Sequence, residues 1–434
     1  MSRRIDVHSY YRQITEVDIG AIARELLAGR IVEETPRTLF CDCPNHQSQS
    51  RLSLHVLLDK QGWYCFGCGV GGDVLQLVEF VRFGRVTRGQ SGPMPESHRQ
   101  ARDFLAARAG LPPLTQFGSA SPEEAEAEHR LTLRVREALT ALAEIYHQRL
   151  VANAEVLAWF RAKYGISEET IARLKIGYAE DNSPSTARLL MEGPAAFTPR
   201  ELTATSAFRP TAQDSIVPFF DRRIVFPYWS RGHVVFLIGR RTPWTPDNDW
   251  EKSKYKKLAV RNDRNHAHVA ACIRNDVLYN EDVLLTRPER VVITEGVTDC
   301  ISLIEHGFAA VSPVTVRIRE ADWERLVAKL AGVKTVYICQ DNEVSEAGMQ
   351  GALKTARALA GHGIQTRVAV LPLGEKQIAA RAKLNELPED SPEVDALRAD
   401  AKIDVNEFFA SGRTAADFEA ILAQAQTPLE MAIA

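Results

Sequence analysis

Val291-Val292-Ile293-Thr294-Glu295-Gly296-Val297-Thr298-Asp299 is the stretch whose reading decides the fold. Its first four residues predict a short buried strand, Gly296 predicts a turn, and Glu295 is delivered to the strand's carboxyl end with Asp299 four residues on. Val333 to Cys339 predicts a second strand, which ends at Gln340-Asp341-Asn342-Glu343. In a parallel sheet, residues just past the carboxyl ends of strands gather along one edge, where ligands bind. Glu295 and Asp341 are therefore expected to face one crevice. Carboxylates held close repel, and proton uptake or a divalent cation relieves the repulsion. Hard cations such as Mg²⁺ take oxygen ligands, usually one or two carboxylates with water and substrate phosphates. The chemistry indicated is phosphoryl transfer. Acids after strands also cap helices, so Glu-Gly-x-x-Asp by itself is a weak signal.

Around this stretch the pattern alternates. Helix Thr298 to His306, strand Phe308 to Val311, helix Ala321 to Leu330, helix Gly348 to Leu359 and strand Thr366 to Leu371 predict a parallel sheet flanked by helices. Cys300 and Cys339 fall inside these elements and read as core residues. Ala379 to Ala401 is charged and reads as helical or mobile.

Upstream, the sharpest local signal is Cys43-Pro44-Asn45-His46 with Cys65-Phe66-Gly67-Cys68. Each pair spaces its ligands by two residues, as a tight knuckle needs to aim both at one ion. Together they close a tetrahedral Zn²⁺ shell and leave no open position for catalysis, so the zinc is structural. Cys41 is a rival ligand, but Cys43 has the better spacing to His46. Leu52 to Leu57 and Gly62-Trp63-Tyr64 predict the hairpin of a zinc ribbon, with His55 an ordinary strand residue. Ahead of it, Asp18 to Leu27 predicts a small amphipathic helix. Trp63, Tyr64 and Phe66 either present a surface on which bases stack or form the ribbon's core. Gly84 to Gln100, Pro112-Pro113 and Gly118 to Glu128 read as a flexible tether, with a helix at Gln100 to Ala109.

The chain has 434 residues, 45% of them hydrophobic, and a net charge of -3, enough for two or three ordinary globular domains. No apolar run is long enough to span a bilayer, and Met-Ser-Arg-Arg leads into no apolar signal region, so a cytoplasmic protein is expected. Seven cysteines, four of them between Cys41 and Cys68, favour metal binding in a reducing compartment over disulfides. Net charge gives no overall push towards nucleic acid. Its distribution does: Arg222 to Arg264 holds eleven Lys and Arg against four Asp and Glu. Within it, a strand ends at Gly239-Arg240-Arg241, and Lys254, Lys256 and Lys257 follow after a loop. These cations either hold phosphates or protect a solvated strand edge.

The motifs, taken in order, resemble those of bacterial-type Toprim DNA primases over nearly the whole chain. The ribbon with Gly71-Gly72-Asp73-Val74 is similar to their amino-terminal CHC2 zinc-binding domain. Tyr164 to Ile171, Ile176 to Ala179, Arg222 to Pro227 and Ser253 to Leu258 resemble the primase core, and Glu295 to Asp299 with Asp341-Asn342-Glu343 resembles the Toprim signature, its last acid Glu where the family has Asp. Asp404-Val405-Asn406-Glu407 resembles a further family element. The implied fold is α/β: a zinc ribbon plus a primase core made of a mixed α+β basic lobe and a Toprim parallel-sheet domain. Expected boundaries are 1–83 for the ribbon, 84–128 for a linker, 129–287 for the basic lobe, 288–412 for Toprim and 413–434 for a short tail.

The resemblance implies template-directed synthesis of short RNA primers on single-stranded DNA by two-metal nucleotidyl transfer from ribonucleoside triphosphates. Glu295, Asp341 and Glu343 would be catalytic and hold Mg²⁺ or Mn²⁺, with Asp299 and Asp404 in or beside the metal shell. Arg222, Arg223, Arg240, Arg241, Lys254, Lys256 and Lys257 would meet phosphates, and Trp63 and Tyr64 bases. Replicative members carry a further helicase-docking domain, for which the residues after Asn406 leave too little chain. A phage, plasmid or mobile-element setting, with a separate helicase or replication protein as partner, is one expectation. The rival functions are a Toprim nuclease and a non-catalytic single-strand-binding or assembly module.

Overall fold

The structure is a computed structural model that describes residues 7–47, 51–88, 94–114, 122–211, 215–263, 265–314, 323–344, 347–388, 391 and 393–433. The chain divides into two compact units, Met1–Arg149 with Lys175–Arg274, and Leu150–Leu174 with Asn275–Ala434. Among the described residues no helix is long and apolar enough to cross a membrane.

In the first unit, the expected hairpin is the centre of a five-stranded antiparallel meander. Its strands are Ile31–Glu34, Thr38–Cys41, Leu54–Leu57, Gly62–Cys65 and Val70–Gly72. Alternation sets the faces: Leu54 and Val56 are buried, whereas His55 and Leu57 are half-buried. Helix Ile19–Leu26 starts where Asp18 accepts from Ala21 N–H at 2.7 Å. Helix Val74–Phe83 starts at a capping box between Asp73 and Gln76 and ends at Gly84 in the left-handed region. Helix Glu96–Arg108 closes the same core with Ala101, Leu105 and Ala106.

That last helix corrects the tether reading of residues 84–128. A ribbon this small cannot bury enough apolar surface by itself, and it recruits the following helix to do so. Residues 89–93 and 115–121 lie outside the described residues. The long helix Pro122–Ala152 follows, with an antiparallel sheet ordered Tyr255–Lys257, His233–Arg241, Arg223–Ser230 and Gly177–Ala179. Ser230 pairs with His233 across the two-residue turn Arg231-Gly232. Both turn residues have positive φ, 52° and 80°, the conformation that matches strand twist and that glycine adopts without strain.

In the second unit, the predicted alternation is present. Ala310–Pro313, Arg290–Thr294, Thr335–Cys339 and Thr366–Ala369 are parallel neighbours in that order, and Leu278–Tyr279 adds an antiparallel edge. Val291, Ile293, Val336, Ile338 and Val368 pack with Ala352, Ala356 and Leu359 of helix Ala347–Gly361. The strand expected from Phe308 begins at Ala310, and the first residues of the helix expected from Ala321 lie outside the described residues. Ala379 to Ala401 resolves into parts of two helices, Glu375–Glu386 and Val394–Asp400.

Two boundaries differ from expectation. Leu150–Leu174 joins this unit instead of the basic lobe, because Ser167 N–H and Oγ donate to Glu305 at 3.1 and 3.0 Å and Asn406 Nδ2 donates to Tyr164 O at 2.9 Å. The expected tail is built in: helix Ala415–Gln424 buries Phe418 and Leu422, and Gln426 bridges to Val368 at the sheet edge.

Candidate active site and zinc centre

Register brings the first two acids together. Thr294 pairs with Cys339, so the chain leaves both strands at one level, with Glu295 just past one strand and Asp341 two residues past the other. Asp299 lies in the first turn of helix Val297–Glu305, 5% exposed, and accepts Asn406 N–H at 3.2 Å. A Cβ on Gly296 would stand 2.6 Å from Asp299 Oδ2, so a side chain there would displace that carboxylate oxygen. Asp404 caps helix Val405–Ala410 by accepting Glu407 N–H at 2.7 Å.

An isolated antiparallel bridge between Asn342 and Ile403 joins the two acidic segments. Side chains alternate along extended chain, so Asp341 and Glu343 share one face with Lys402 and Asp404. The Lys402 ammonium contacts Asp341 Oδ2. Arg381 clamps the bridge from the other chain segment, donating to Ala401 O at 3.0 Å and to Asn342 O and Oδ1 at 3.1 and 2.9 Å. Asn342 Nδ2 donates to Leu371 O at 2.8 Å.

The electrostatics follow from burial. Burial pushes Glu295 up, and Asp341 adds to it. Asp299 is pushed well above the carboxylate range by burial and then by Asp404 and Asp341. Asp341 is raised by burial against the opposing pull of Lys402. Burial works against the charge on Lys402, but Asp341, Glu295 and Asp404 outweigh it and raise its pKa. Among the described residues, Lys402 is the cation whose charge acts on all three of these acids. Among the described residues the acids do not form a closed cage of mutually close ligand atoms, whereas the cysteine cluster does. As placed, these acids offer a hard divalent cation one or two carboxylates at a time, with water and phosphate left to complete its shell.

Lys402, Asn342 and Arg381 had no place in the sequence reading. The signal for Lys402 was present: Lys402-Ile403-Asp404 alternates, which puts the cation and the acid on one face if the segment is extended.

At the second metal centre, ligand atoms of Cys43, His46, Cys65 and Cys68 all lie within 4.8 Å of one another. Cys43 Sγ is 3.8 Å from Cys68 Sγ, and His46 Nδ1 is 3.1 Å from Cys68 Sγ and 3.7 Å from Cys65 Sγ. A tetrahedron with sulfur about 2.3 Å from its centre has edges of about 3.8 Å, so the donors fit zinc. Asn45 N–H points to Cys43 Sγ and Cys68 N–H to Cys65 Sγ, both at 3.4 Å, as knuckles do. A Cβ on Gly67 would lie 2.0 Å from His46 Nε2, so only glycine admits the ring. Cys41 is buried in its strand outside this cluster.

The basic sheet splits the expected contact residues. Tyr255, Lys256 and Lys257 lie on a strand, so they cannot all face one way. Arg240 pairs with Tyr255 across the sheet and donates to its hydroxyl at 2.7 Å, while Lys257 pairs with Ile238. Arg222, Lys254 and Lys257 are exposed, and Arg241 meets Asp247 at 3.0 Å.

Arg223 is a correction. It is 0% exposed, pairs with Glu251 at 2.7 Å and donates to the carbonyls of Gly239, Ser253 and Glu251. A buried charge needs this full set of partners, which leaves nothing for a phosphate. Lys256 is likewise turned to Glu251, at 2.5 Å, with its ammonium over the Phe219 ring. Trp63 is also a correction: it is 3% exposed, packs on Phe80 and donates to Asp73 O, so it belongs to the core. Tyr64 and Phe66 are the exposed rings, 41% and 66%, and lie edge to face with centroids 5.0 Å apart.

Family comparisons agree with this architecture. Residues 14–83 match the CHC2 zinc finger, 145–259 the N-terminal domain of the DNA primase catalytic core, and 292–381 the Toprim-like domain. The class is therefore a Toprim-domain protein with a CHC2 zinc ribbon and a primase-core lobe. By domain content and order the chain is similar to the bacterial-type DNA primases.

The chain is 26% identical to a DNA primase of Geobacillus stearothermophilus, over 78% of this chain and 52% of that protein. It is 26% identical to that of Thermotoga maritima, over 82% and 55%. The chain thus spans about half the length of these curated relatives. Among solved structures, the Aquifex aeolicus primase with its zinc-binding and RNA polymerase domains superposes with a TM-score of 0.54 at 19% identity, covering 96% of this chain and 85% of that one. The RNA polymerase domain of Mycobacterium tuberculosis primase gives 0.52 at 20%, covering 69% and 86%.

Proposed function

We propose that the chain is a DNA primase, which builds short RNA primers on single-stranded DNA from ribonucleoside triphosphates. The observation that carries the reading is the register of the paired parallel strands, Thr294 opposite Cys339, which sets Glu295 and Asp341 at one carboxyl edge, with Asp299 and Asp404 in the same electrostatic field. Glu295, Asp341 and Glu343, supported by Asp299 and Asp404, would hold Mg²⁺ or Mn²⁺. Bound there, the ions would stabilise charge on the triphosphate and on the departing pyrophosphate.

The chain's own residues do the rest. Asn342, Ile403 and Arg381 fix the spacing of the acids, and Asp299 ties the Asn406 segment to the first acidic turn. Arg222, Arg240, Arg241, Lys254 and Lys257 offer charge to phosphates. Tyr64 and Phe66 offer faces on which template bases stack. The zinc ion fixes the ribbon that carries those rings. A separate helicase or mobile-element protein as partner belongs to the same proposal.

The test is to incubate the protein with single-stranded DNA, Mg²⁺ or Mn²⁺ and labelled ribonucleotides. Short new RNA supports the reading. Shortened DNA would establish the nuclease, and binding without either product the assembly module. Asp341→Asn should abolish product while zinc stays near one ion per chain.

A further inference from the structure

Lys402 is the cation that the acidic edge already contains. Its ammonium contacts Asp341 Oδ2, and the pair differ in access: the Asp341 side chain is 10% exposed and that of Lys402 is 32%. The acid is held inside, and the base has a way out. Main-chain hydrogen bonds between Asn342 and Ile403, 2.9 and 3.1 Å, fix the backbone under both residues, so any exchange at Asp341 takes place by side-chain rotation. A lysine is suited to this, being a compact charge on a flexible four-carbon stem.

Arg381 is not a second candidate. Its guanidinium is spent on Ala401 O, Asn342 O and Asn342 Oδ1. Lys376 lies against Asp400 at 2.7 Å. The ammonium of Lys402 is thus the charge that offsets Asp341, with Glu295 and Asp404 within its field.

We propose that Lys402 is a resident counter-ion, holding Asp341 Oδ2 in the place a divalent cation takes and swinging to solvent when that cation binds. This rests on reading the acidic edge as a cation site. A divalent ion carries twice the charge and approaches oxygen at about 2.1 Å, against about 2.8 Å for an ammonium, so it wins the oxygen. A monovalent cation of the same reach does not. Lys402 therefore offsets Asp341, Glu295 and Asp404 before metal arrives and sets a threshold that selects divalent ions.

The test uses the full chain and the metal alone, without nucleotide. Lysine acylation followed by mass spectrometry should show Lys402 modified several-fold faster with saturating Mg²⁺ than without it, while Lys257 is unchanged. Lys402→Met should tighten Mn²⁺ binding, read by electron paramagnetic resonance, by about tenfold, the scale of a partly buried ion pair. Unchanged acylation of Lys402 in a protein that binds Mn²⁺, or weaker Mn²⁺ binding by Lys402→Met, overturns the proposal and leaves the cation site standing. If neither protein binds Mn²⁺, the cation-site reading falls and the counter-ion role falls with it.

Discussion

Asn342 and Ile403 exchange both main-chain hydrogen bonds, Asn342 N–H to Ile403 O at 2.9 Å and Ile403 N–H to Asn342 O at 3.1 Å. Two segments some sixty residues apart are thereby locked in register, and the alternation of extended chain turns Asp341, Glu343, Lys402 and Asp404 to one side. The spacing of the acids is set here as much as by the parallel strands.

Arg381 should therefore matter to a site it does not enter. Arg381→Ala leaves Ala401 O, a partly buried carbonyl, without its donor, at a cost of about 1–3 kcal/mol, while Asn342 O keeps the Ile403 N–H. Expected are a lower urea midpoint and weaker Mn²⁺ binding, with zinc content unchanged. Mn²⁺ affinity equal to that of the unaltered protein would show that the bridge holds without its clamp.

Arg223 and Lys257 should separate stability from nucleic-acid contact. Arg223→Ala takes from buried Glu251 one of its two cations, Lys256 remaining, and breaking such a pair costs up to about 3–5 kcal/mol. Lys257→Ala should leave the melting temperature within about 1 °C and reduce the salt dependence of single-strand binding by roughly one charge. A loss of binding by a still-folded Arg223→Ala as large as that of Lys257→Ala would restore Arg223 to the contact set.

The contrast between those two residues shows what the sequence carries. Strand-Glu-Gly and the second apolar run were enough to expect Glu295 and Asp341 on one edge, because parallel strands place their ends by rule. The knuckles were legible for the same reason, spacing being local. Arg223 and Arg240 are equally basic in the sequence; only the side of the sheet decides that one meets Glu251 and the other Tyr255. Lys402 needed the partner of its segment, and the Asn342 bridge comes from far along the chain. The Glu96–Arg108 helix was foreseen in part, but its burial depends on a ribbon too small to close its own core.

Zinc removal should release more than the knuckles. Structural zinc contributes on the order of 10 kcal/mol to small modules, and helix Glu96–Arg108 shares their core. Cys65→Ser should lose zinc and become open to limited proteolysis between residues 19 and 108, while the Toprim-like unit stays resistant. Cys41→Ser should keep its zinc, since Cys41 stands outside the cluster. Zinc loss in Cys41→Ser would put the ligand set in error.

His233 should make stability depend on pH. Its Nε2 is buried without a hydrogen-bond partner, and burial lowers its pKa from 6.5 to about 4, Arg136 adding to the effect and Asp73 opposing it. Between those values the unfolded chain takes up a proton that the folded chain refuses. Stability from this group is therefore complete above about pH 6.5 and falls as pH drops towards 4, by at most about 1.4 kcal/mol per pH unit. His233→Phe removes the titrating nitrogen. Urea unfolding at pH 7.5 and pH 5 should give a smaller difference in this variant than in the unaltered protein. Equal differences would mean that His233 is protonated in the fold without cost, and that its nitrogen reaches water.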